Sequence, residues 1–340
     1  MQLNRREWFS AGASAVLGLT ASANGPARSH MGVVIHSYGL RRFSDPLEFL
    51  DYCRTIGAGG AQTAIGVRDD AYADKLLALA AKHSVYLEGS IALPRDKDDL
   101  ERFATEVRTA KRCGAKLFRT VLTSGRRYEA FATAEAFRAF HEHGKQALGL
   151  ARPVVEKHEI RMAVENHKDL QAPDLVEVVK KLDSPWVGVC LDTGNNIALL
   201  EKPQETAELL APLAFTTHIK DMGVEEYAEG FLLAEVPFGQ GFLDLAAIIG
   251  AVRKAKPDAT LNIEMITRDP LKIPCLTPKY WATLEHVPGR RLAEMLALVK
   301  AKASKKPLPR ISQLPKAEQI QREDDNVRES LRFARDKLDA

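Results

Sequence analysis

Short apolar runs alternate with longer amphipathic segments along most of the chain. Eight runs have the character of β-strands, and they lie at 32–39, 61–66, 85–93, 116–123, 161–166, 187–192, 215–219 and 260–266. Each is followed by a segment with helical periodicity, and these lie at 46–57, 69–83, 96–113, 133–158, 172–182, 204–213, 243–255 and 290–303. Strands that alternate with helices in this way predict βαβ units built on a parallel sheet.

Eight such pairs between residues 32 and 303 predict a (β/α)8 barrel, the TIM barrel, whose usual size is about 250 residues. A doubly wound open sheet is the alternative, but no G-x-G-x-x-G turn follows the first strand. In the long helix 133–158, glycines and Pro153 predict a break or a kink. The connection 223–241 is longer than a usual strand-to-helix loop, and we expect it to fold over the site.

The first 23 residues have the features of an export signal. Arg5 and Arg6 precede a mildly apolar segment, 11–23, which ends in an Ala-Ser-Ala sequence typical of a signal-peptidase site. The segment resembles a twin-arginine signal, and it is too short and too rich in small residues for a stable membrane span. We therefore expect a periplasmic protein that has no membrane span once the signal is removed.

After residue 303 the composition changes. Residues 304–315 are rich in proline, as in a linker, and residues 316–338 have the periodicity of a charged, extra C-terminal helix. An apolar stripe at helical spacing runs along this helix and is formed by Ile320, Val327, Leu331 and Leu338. The stripe can dock on the barrel of the same chain or form the arm of a homodimer.

Charge and cysteine content argue against several classes of protein. The 48 basic and 45 acidic residues give a net charge of +3, and no basic stripe with interleaved aromatic residues is present. We therefore expect no nucleic-acid partner. The four cysteines, at 53, 113, 190 and 275, are widely spaced and include no C-x-x-C pair. This spacing indicates buried thiols rather than a disulfide framework or a zinc knuckle.

The last four predicted strands each lead into a side chain that can bind a metal. These residues are Glu165, Asp192, His218 and Glu264. Charged groups that continue buried strands are costly unless they are paired or bind a cation, and the carboxyl ends of barrel strands meet on one face. We therefore expect one divalent metal ion there. The three carboxylates favour Mn²⁺, Mg²⁺ or Co²⁺, and zinc can also bind in an open site.

Four short motifs make the chain resemble the xylose isomerase-like barrel proteins, a family of sugar phosphate isomerases and epimerases that also includes endonuclease IV. The motifs are V-E-N-H (164–167), L-D-T-G-N (191–195), H-I-K-D (218–221) and N-I-E (262–264). The resemblance implies that Glu165, Asp192, His218 and Glu264 are the metal ligands. It also implies that Glu165 and Glu264 exchange protons with the substrate carbon from opposite faces, as two glutamates do in the ketose epimerases of the family.

A metal at this position can promote several reactions of a keto sugar. Binding through a carbonyl oxygen and the neighbouring hydroxyl lowers the pKa of the C–H between them, and the enediolate that results is held electrostatically. A carboxylate on each side can then move the proton, which gives isomerisation or epimerisation. The same intermediate can lose water or carbon dioxide instead, as in a lyase.

Two positions depart from the epimerase pattern. Asn195 stands where those enzymes have a histidine, and Lys220 stands where they have an arginine. The H-x-K-D segment is similar to that of inosose dehydratases and other lyase branches. Lys220 can hold an oxyanion or a substrate carboxylate, or it can pair with Asp192 or Asp221. The other candidates for substrate binding are strand-end residues, namely His36, Arg119 and His167.

The leading hypothesis is a metal-dependent isomerase or epimerase of a keto sugar, with a small carbohydrate as its substrate. The nearest alternative is a lyase on the same scaffold, either a dehydratase of an inosose-like ketone or a decarboxylase of a 3-oxo sugar acid. An endonuclease IV-like repair enzyme is disfavoured, because it needs a histidine-rich three-zinc cluster and a basic groove. A sugar-binding or scaffold protein without catalytic activity is the third class.

Overall fold

The computed structural model describes residues 29–123 and 125–340, and its centre is a closed barrel of eight parallel strands. This confirms the predicted fold class. The predicted signal, residues 1–23, lies outside the described residues. In chain order the strands are β1 (Gly32–Val34), β2 (Gly60–Thr63), β3 (Tyr86–Ser90), β4 (Leu117–Thr120), β5 (Arg161–Glu165), β6 (Val187–Asp192), β7 (Ala214–Ile219), β8 (Asp221–Tyr227), β9 (Gly230–Val236), β10 (Thr260–Ile263) and β11 (Leu271–Ile273). The barrel consists of β1 to β7 and β10.

Helices connect and surround these strands. They are α1 (Pro46–Thr55), α2 (Asp70–His83), α3 (Leu100–Arg112), α4 (Arg127–Ala130), α5 (Ala134–His158), α6 (Ala172–Leu182), α7 (Pro203–Leu210), α8 (Leu245–Ala255), α9 (Pro278–Trp281), α10 (Gly289–Lys302) and α11 (Lys316–Lys337). Four of them have an N-terminal cap, in which a side chain accepts a hydrogen bond from the backbone N–H three residues later. The capping residues are Asp45, Asp69, Thr133 and Asp244. Over the described ranges, no helix combines the length and apolar character needed to cross a membrane.

Helix α5 runs without interruption from Ala134 to His158, so the predicted break is absent. Pro153 lies inside the helix, where it removes one backbone hydrogen bond. The helix continues because apolar residues on both sides of Pro153, including Leu148 and Val155, are buried in the barrel core. Tertiary packing therefore overrides the local cost of the proline.

The first barrel strand is shorter than its apolar pattern predicts. The run 32–39 predicts a strand of eight residues, but β1 ends at Val34 and Ile35–Tyr38 form a 3-10 turn. Ser37 holds this turn against the end of β10, because its hydroxyl accepts from the Met265 N–H at 3.0 Å and lies 3.4 Å from the Ile263 carbonyl oxygen. The residues past the strand end therefore build the mouth of the barrel.

Strand β1 closes the barrel between β2 and β10. Gly32 lies opposite Asn262, and a Cβ atom at position 32 would lie 2.5 Å from Asn262 Oδ1 and 2.6 Å from the Tyr86 hydroxyl. That hydroxyl accepts from the Gly32 N–H at 2.7 Å and donates to the Leu261 carbonyl oxygen at 2.9 Å. A larger residue at position 32 would push the closing strand away from its neighbours.

The long connection 223–241 is mostly a β-hairpin. Strands β8 and β9 pair antiparallel, and β11 adds to the free edge of β9. A second apolar cluster fills the space between this sheet and α9 and α10, and it includes Phe231, Leu233 and Tyr280. The segment predicted as a loop over the site is therefore a packed layer with its own core.

Helix α10 occupies a different place from the one that the sequence pattern predicts, whereas α11 docks on the barrel of its own chain, which is one of the two predicted alternatives. Helix α10, predicted as the eighth barrel helix, packs on β8 and β9, and its Met295 and Val299 belong to the hairpin cluster. Helix α11, predicted as an extra helix, contacts β10 and the turn after β1, and Val327, Leu331 and Ala334 belong to the barrel core. An apolar stripe shows that a helix face is buried but does not identify the surface that covers it. The homodimer arm stays a prediction.

Helix α11 also supports the mouth of the barrel through polar contacts. Glu323 accepts from the Leu40 N–H at 2.7 Å and from the Arg41 N–H at 2.9 Å. Asn326 donates to the Thr267 hydroxyl at 2.9 Å. The helix therefore fixes the turn after β1 and the loop after β10, which flank the site described next.

Candidate metal centre and substrate cavity

Glu165, Asp192, His218 and Glu264 meet at the carboxyl ends of β5, β6, β7 and β10. Each is at most 3% exposed, and one ligand atom from each lies within 4.8 Å of the others. His218 Nδ1 is 3.6 Å from Glu165 Oε2, 3.6 Å from Glu264 Oε2 and 3.9 Å from Asp192 Oδ2. Three buried carboxylates this close repel one another unless cations lie among them. The structure thus brings together the four residues that the sequence pattern singles out.

The ring of His218 is oriented by a chain of hydrogen bonds beneath it. Its Nε2 lies 2.7 Å from Gln62 Oε1, and Gln62 Nε2 donates to Glu88 Oε2 at 2.8 Å. Because the Gln62 amide donates to Glu88, its oxygen faces the ring, so Nε2 carries the proton and donates. Nδ1 then faces the three carboxylates. An imidazole held in this way by its second nitrogen is typical of metal-binding histidines.

One buried polar atom of this group, His218 Nδ1, lacks a hydrogen-bond partner among the described residues. Asp192 Oδ1 accepts from the Gly194 and Asn195 N–H groups, both at 2.8 Å, which fixes the carboxylate and leaves Oδ2 facing the Lys220 ammonium at 2.9 Å. A buried polar atom without a partner is rare, and His218 Nδ1 faces the three carboxylates. A donor set of carboxylate oxygens and one imidazole nitrogen fits Mg²⁺, Mn²⁺, Co²⁺ or Zn²⁺.

Lys220 lies at the centre of a chain of ion pairs. Its Nζ is 2.6 Å from Glu264 Oε2, 2.9 Å from Asp192 Oδ2 and 3.7 Å from Glu235 Oε1. Arg268 Nη2 is in turn 2.7 Å from Glu235 Oε1. Burial by itself would lower the pKa of Lys220, but Asp192 and Glu264 raise it above its ordinary value. Lys220 therefore stays charged and neutralises part of the acidic cluster.

Asp221, the alternative partner considered for Lys220, supports a loop instead. Its Oδ2 accepts from the Gly239 and Gly241 N–H groups at 2.9 and 3.0 Å, and its Oδ1 accepts from the Leu243 N–H at 3.2 Å. Neighbouring residues of an extended chain point to opposite sides, so Lys220 and Asp221 do not share a pocket. Of the two ion-pair partners that the sequence leaves open for Lys220, the structure pairs it with Asp192 and not with Asp221.

The two glutamates predicted as acid and base each have close partners. Arg119 Nε and Nη2 both lie 2.5 Å from Glu165 Oε2, and Asn195 Nδ2 donates to Glu165 Oε1 at 2.9 Å. Burial by itself would raise the pKa of Glu165, but Arg119 holds it well below its usual range. His36, which is 46% exposed, places Nδ1 3.2 Å from Glu264 Oε1. Glu264 therefore has a contact that leads to solvent, whereas Glu165 is enclosed.

A cavity of about 550 Å³ opens beside this cluster. Of the residues predicted to bind substrate, His36, Arg119, His167 and Lys220 line it, whereas Asn195 is not among its lining residues. Burial lowers the pKa of His167 to about 4, so this ring is neutral at pH 7. A larger cavity of about 860 Å³ lies between the hairpin and the linker, but none of the four clustered residues lines it.

Three further cations line the substrate cavity, and the sequence reasoning missed them: Arg126, Lys168 and Arg268. Lys168 is 4% exposed, has a left-handed backbone with φ of 56°, and donates to Asn195 Oδ1. Within the described ranges it forms no ion pair with a carboxylate, and burial lowers its pKa to about 8. A strained backbone and a buried, unpaired cation are typical of functional positions. The position of Lys168 shortly after Glu165 in the sequence was the signal that could have identified it.

Comparison with known proteins agrees with this geometry. The sequence matches the family described as xylose isomerase-like TIM barrel over residues 50–287, which is more than half of the chain. The chain belongs to the xylose isomerase-like TIM barrel family. A xylose isomerase-like TIM barrel protein from Mycobacterium smegmatis, solved in complex with magnesium, is 17% identical, with a TM-score of 0.55 over 78% of this chain and 97% of that one. D-psicose 3-epimerase, solved in the presence of D-fructose, is 14% identical, with a TM-score of 0.59 over 91% and 99%.

One curated relative of this xylose isomerase-like protein matches at higher identity. It is 3-oxo-isoapionate decarboxylase of Pectobacterium atrosepticum, which is 36% identical over 113 residues. The match spans 32% of this chain and 41% of the relative. The proteins to which this chain is similar thus include one named as an epimerase and one named as a decarboxylase.

Proposed function

We propose that the protein is a divalent-metal-dependent decarboxylase of a 3-oxo sugar acid. The observation that carries this proposal is the positive charge around the cavity. Its five cationic side chains are Arg119, Arg126, Lys168, Lys220 and Arg268. Among the described residues, four of them, all except Lys168, form ion pairs with five carboxylates, namely Glu129, Glu165, Asp192, Glu235 and Glu264. A divalent ion would leave this site with an excess of positive charge, which favours an anionic substrate over a neutral sugar.

The proposed reaction breaks the bond between the carboxylate carbon and its neighbour. In a 3-oxo acid the ketone lies two bonds from that carboxylate, so the electron pair left by carbon dioxide moves into the ketone and forms an enolate. A divalent ion held by Glu165, Asp192, His218 and Glu264 would supply positive charge that polarises the ketone oxygen. The ammonium groups of Lys168 and Lys220 would stabilise the negative charge that develops on the ketone oxygen as carbon dioxide leaves.

A proton must then replace carbon dioxide on carbon. The Glu264–His36 pair provides a route for it, because His36 Nδ1 lies 3.2 Å from Glu264 Oε1 and the His36 ring reaches solvent. Glu165 is held between Arg119 and Asn195, and this arrangement suits a ligand better than a mobile base. The proposed decarboxylation therefore needs a single proton donor, whereas epimerisation would use two opposed bases.

The decarboxylase from Pectobacterium atrosepticum supports the substrate class, since its name specifies a 3-oxo acid. Its likeness covers less than half of either chain, so the exact sugar acid is a separate question. A second candidate is an isomerase or epimerase of a keto sugar. It is favoured by the presence of both Glu165 and Glu264 beside the metal centre.

A product analysis in D₂O distinguishes these reactions. The protein, stripped with a chelator and reloaded with Mg²⁺, Mn²⁺, Co²⁺ or Zn²⁺, is incubated with 3-oxo sugar acids and with neutral keto sugars. We expect release of carbon dioxide above the spontaneous rate and one deuterium in the product ketone, both lost in Asp192→Asn. A product with the formula of the substrate and deuterium on carbon would support the isomerase and contradict the decarboxylase.

We also propose that the enzyme acts in the periplasm, because residues 1–23 resemble a twin-arginine signal. Replacement of Arg5 and Arg6 by lysine should leave the protein in the cytoplasmic fraction, whereas the unchanged chain is recovered from the periplasm. The same distribution for both chains would contradict export by this route.

A further inference from the structure

Cys190 lies inside the barrel, close beneath the metal centre. It comes two residues before Asp192 on β6, so both side chains point to the barrel interior. In the sheet register, Cys190 is the partner of Glu165 on β5. Its sulfur and one ligand atom each of Glu165 and His218 lie within 4.8 Å of one another, and all three residues are buried. A thiol therefore adjoins two of the four ligands.

A second observation indicates that this corner of the centre, formed by Glu165, Cys190 and His218, can bind a ligand. His218 Nδ1 is completely buried and has no hydrogen-bond partner among the described residues, while Nε2 is held by Gln62. The ring cannot turn away without breaking that contact, so its lone pair faces a space bounded by carboxylates and the Cys190 thiol. The other cysteines are in different surroundings. Cys53 and Cys113 lie in the main barrel core, and Cys275 lies in the hairpin cluster.

The position of Lys220 separates this corner from the rest of the centre. Its ammonium lies 2.9 Å from Asp192 Oδ2 and 2.6 Å from Glu264 Oε2, so these two carboxylates are neutralised by the protein itself. No such contact joins Lys220 to Cys190 in the part of the chain that the structure describes. A cation that binds Glu165, His218 and Cys190 would leave the Lys220 pairs intact and compete only with the Arg119–Glu165 pair, whereas one that also binds Asp192 and Glu264 must compete with the Lys220 pairs as well.

We propose that the centre has two overlapping metal-binding modes. In the first, Glu165, Asp192, His218 and Glu264 bind a hard ion such as Mg²⁺ or Mn²⁺. In the second, Glu165, Cys190 and His218 bind a thiophilic ion such as Zn²⁺, Cd²⁺ or Co²⁺. Sulfur ligands select these softer ions, and the shared Glu165 and His218 make the two modes mutually exclusive.

Binding in the second mode is a ligand exchange without oxidation or reduction. The sulfur–hydrogen bond of Cys190 breaks, the proton passes to buffer, and the thiolate electron pair forms the sulfur–metal bond. The ion would then lie lower in the barrel than the first mode places it, away from the substrate cavity. The inference depends on the metal centre but not on which reaction the centre catalyses.

Cobalt spectroscopy tests the proposal, because Co²⁺ bound to protein gives visible d–d bands that differ in position or intensity from those of hydrated Co²⁺, and it gives a near-ultraviolet charge-transfer band only with a thiolate. The chelator-treated chain is titrated with Co²⁺. We expect both signals in the unchanged chain, and only the visible bands in Cys190→Ala. Cys53→Ala, which removes a buried thiol elsewhere, should keep both. The visible bands also establish that Cys190→Ala still folds and binds metal.

Competition titrations give a second measurement. In Cys190→Ala the affinity for Zn²⁺ and Cd²⁺ should fall by about tenfold or more, while the affinity for Mg²⁺ and Mn²⁺ stays unchanged. Visible bands without a thiolate band in the unchanged chain would overturn the second mode and leave the first in place. A thiolate band that persists in Cys190→Ala would also overturn it. Absence of all cobalt bands would overturn the metal centre itself.

Discussion

Replacement of Lys220 by methionine separates the stability that this side chain provides from its competition with a metal. The change keeps most of the volume and removes a 2% exposed ammonium that lies 2.6 Å from Glu264 Oε2 and 2.9 Å from Asp192 Oδ2. Removal of one partner from a buried ion pair costs about 3–5 kcal/mol, because the remaining charge is left uncompensated. For a chain of this size that corresponds to a fall in Tm of roughly 4–7 °C in the absence of metal.

Metal binding should change in the opposite direction. At an effective dielectric constant of about 20, two unit charges about 4 Å apart interact by about 4 kcal/mol, and the Lys220 ammonium repels a cation held by the same carboxylates. Recovery of even a third of that energy, roughly 1.4 kcal/mol, lowers the Kd for the metal about tenfold. We therefore expect Lys220→Met to bind Mg²⁺ or Mn²⁺ at least about tenfold more tightly than the unchanged chain.

Thermal unfolding with chelator and with increasing metal measures both effects in one series. In chelator the variant should have a lower Tm than the unchanged chain. Its Tm should rise more when metal is added, and half of that rise should occur at a lower metal concentration. The exposed Lys97→Met is the matched control and should follow the unchanged chain. An unchanged Tm in chelator together with equal or weaker metal binding would show that Lys220 does not neutralise Asp192 and Glu264.

Three further changes test other parts of the site. Gln62→Leu removes the acceptor that orients His218, and it should weaken metal binding by about 10–100-fold in a calorimetric titration; an unchanged affinity would contradict the orienting role. Burial raises the pKa of Asp169 to about 7, so its contribution to stability is complete below about pH 4 and is lost as the pH rises through 7. In urea unfolding, Asp169→Asn should therefore have the same free energy of unfolding as the unchanged chain near pH 4 and a free energy higher by up to about 4 kcal/mol at pH 8. A difference that does not depend on pH would refute this. Glu323→Ala leaves the Leu40 and Arg41 N–H groups without their acceptor, so it should lower the free energy of unfolding by about 1–3 kcal/mol. It should also reduce turnover, because these contacts hold the turn that carries His36. The exposed Glu318→Ala on the same helix should change neither quantity.

The barrel and the four clustered residues were accessible from sequence for a shared physical reason. A buried strand that ends in a charged residue is costly unless something compensates the charge, and this pattern recurs in β5, β6, β7 and β10. The parallel arrangement then requires the four ends to lie on one face. Periodicity together with the cost of burial is therefore sufficient to predict both the fold and the place where Glu165, Asp192, His218 and Glu264 meet.

Other features depend on contacts that a linear pattern does not specify. The partner of Lys220 is decided by which side of the chain each neighbour faces, so Asp221 was as plausible as Asp192 until the geometry was known. Lys168 and Arg268 lie in loops, where no periodicity indicates direction. The position of α10 on the hairpin has the same origin, because both α10 and α11 have an apolar face and either could cover the barrel.

The attachment of α11 to the turn after β1 has a consequence for how the protein is made. The Leu40–Glu323 contact joins residues 283 positions apart. At roughly 5–20 residues per second, synthesis of that interval takes roughly 15–60 seconds, during which β1 and its turn emerge without their covering helix. Contacts of such long range also form slowly after synthesis because the closure of a large loop is entropically unfavourable. We therefore expect the nascent chain to depend on chaperones that shield an incomplete barrel until its last helix leaves the ribosome.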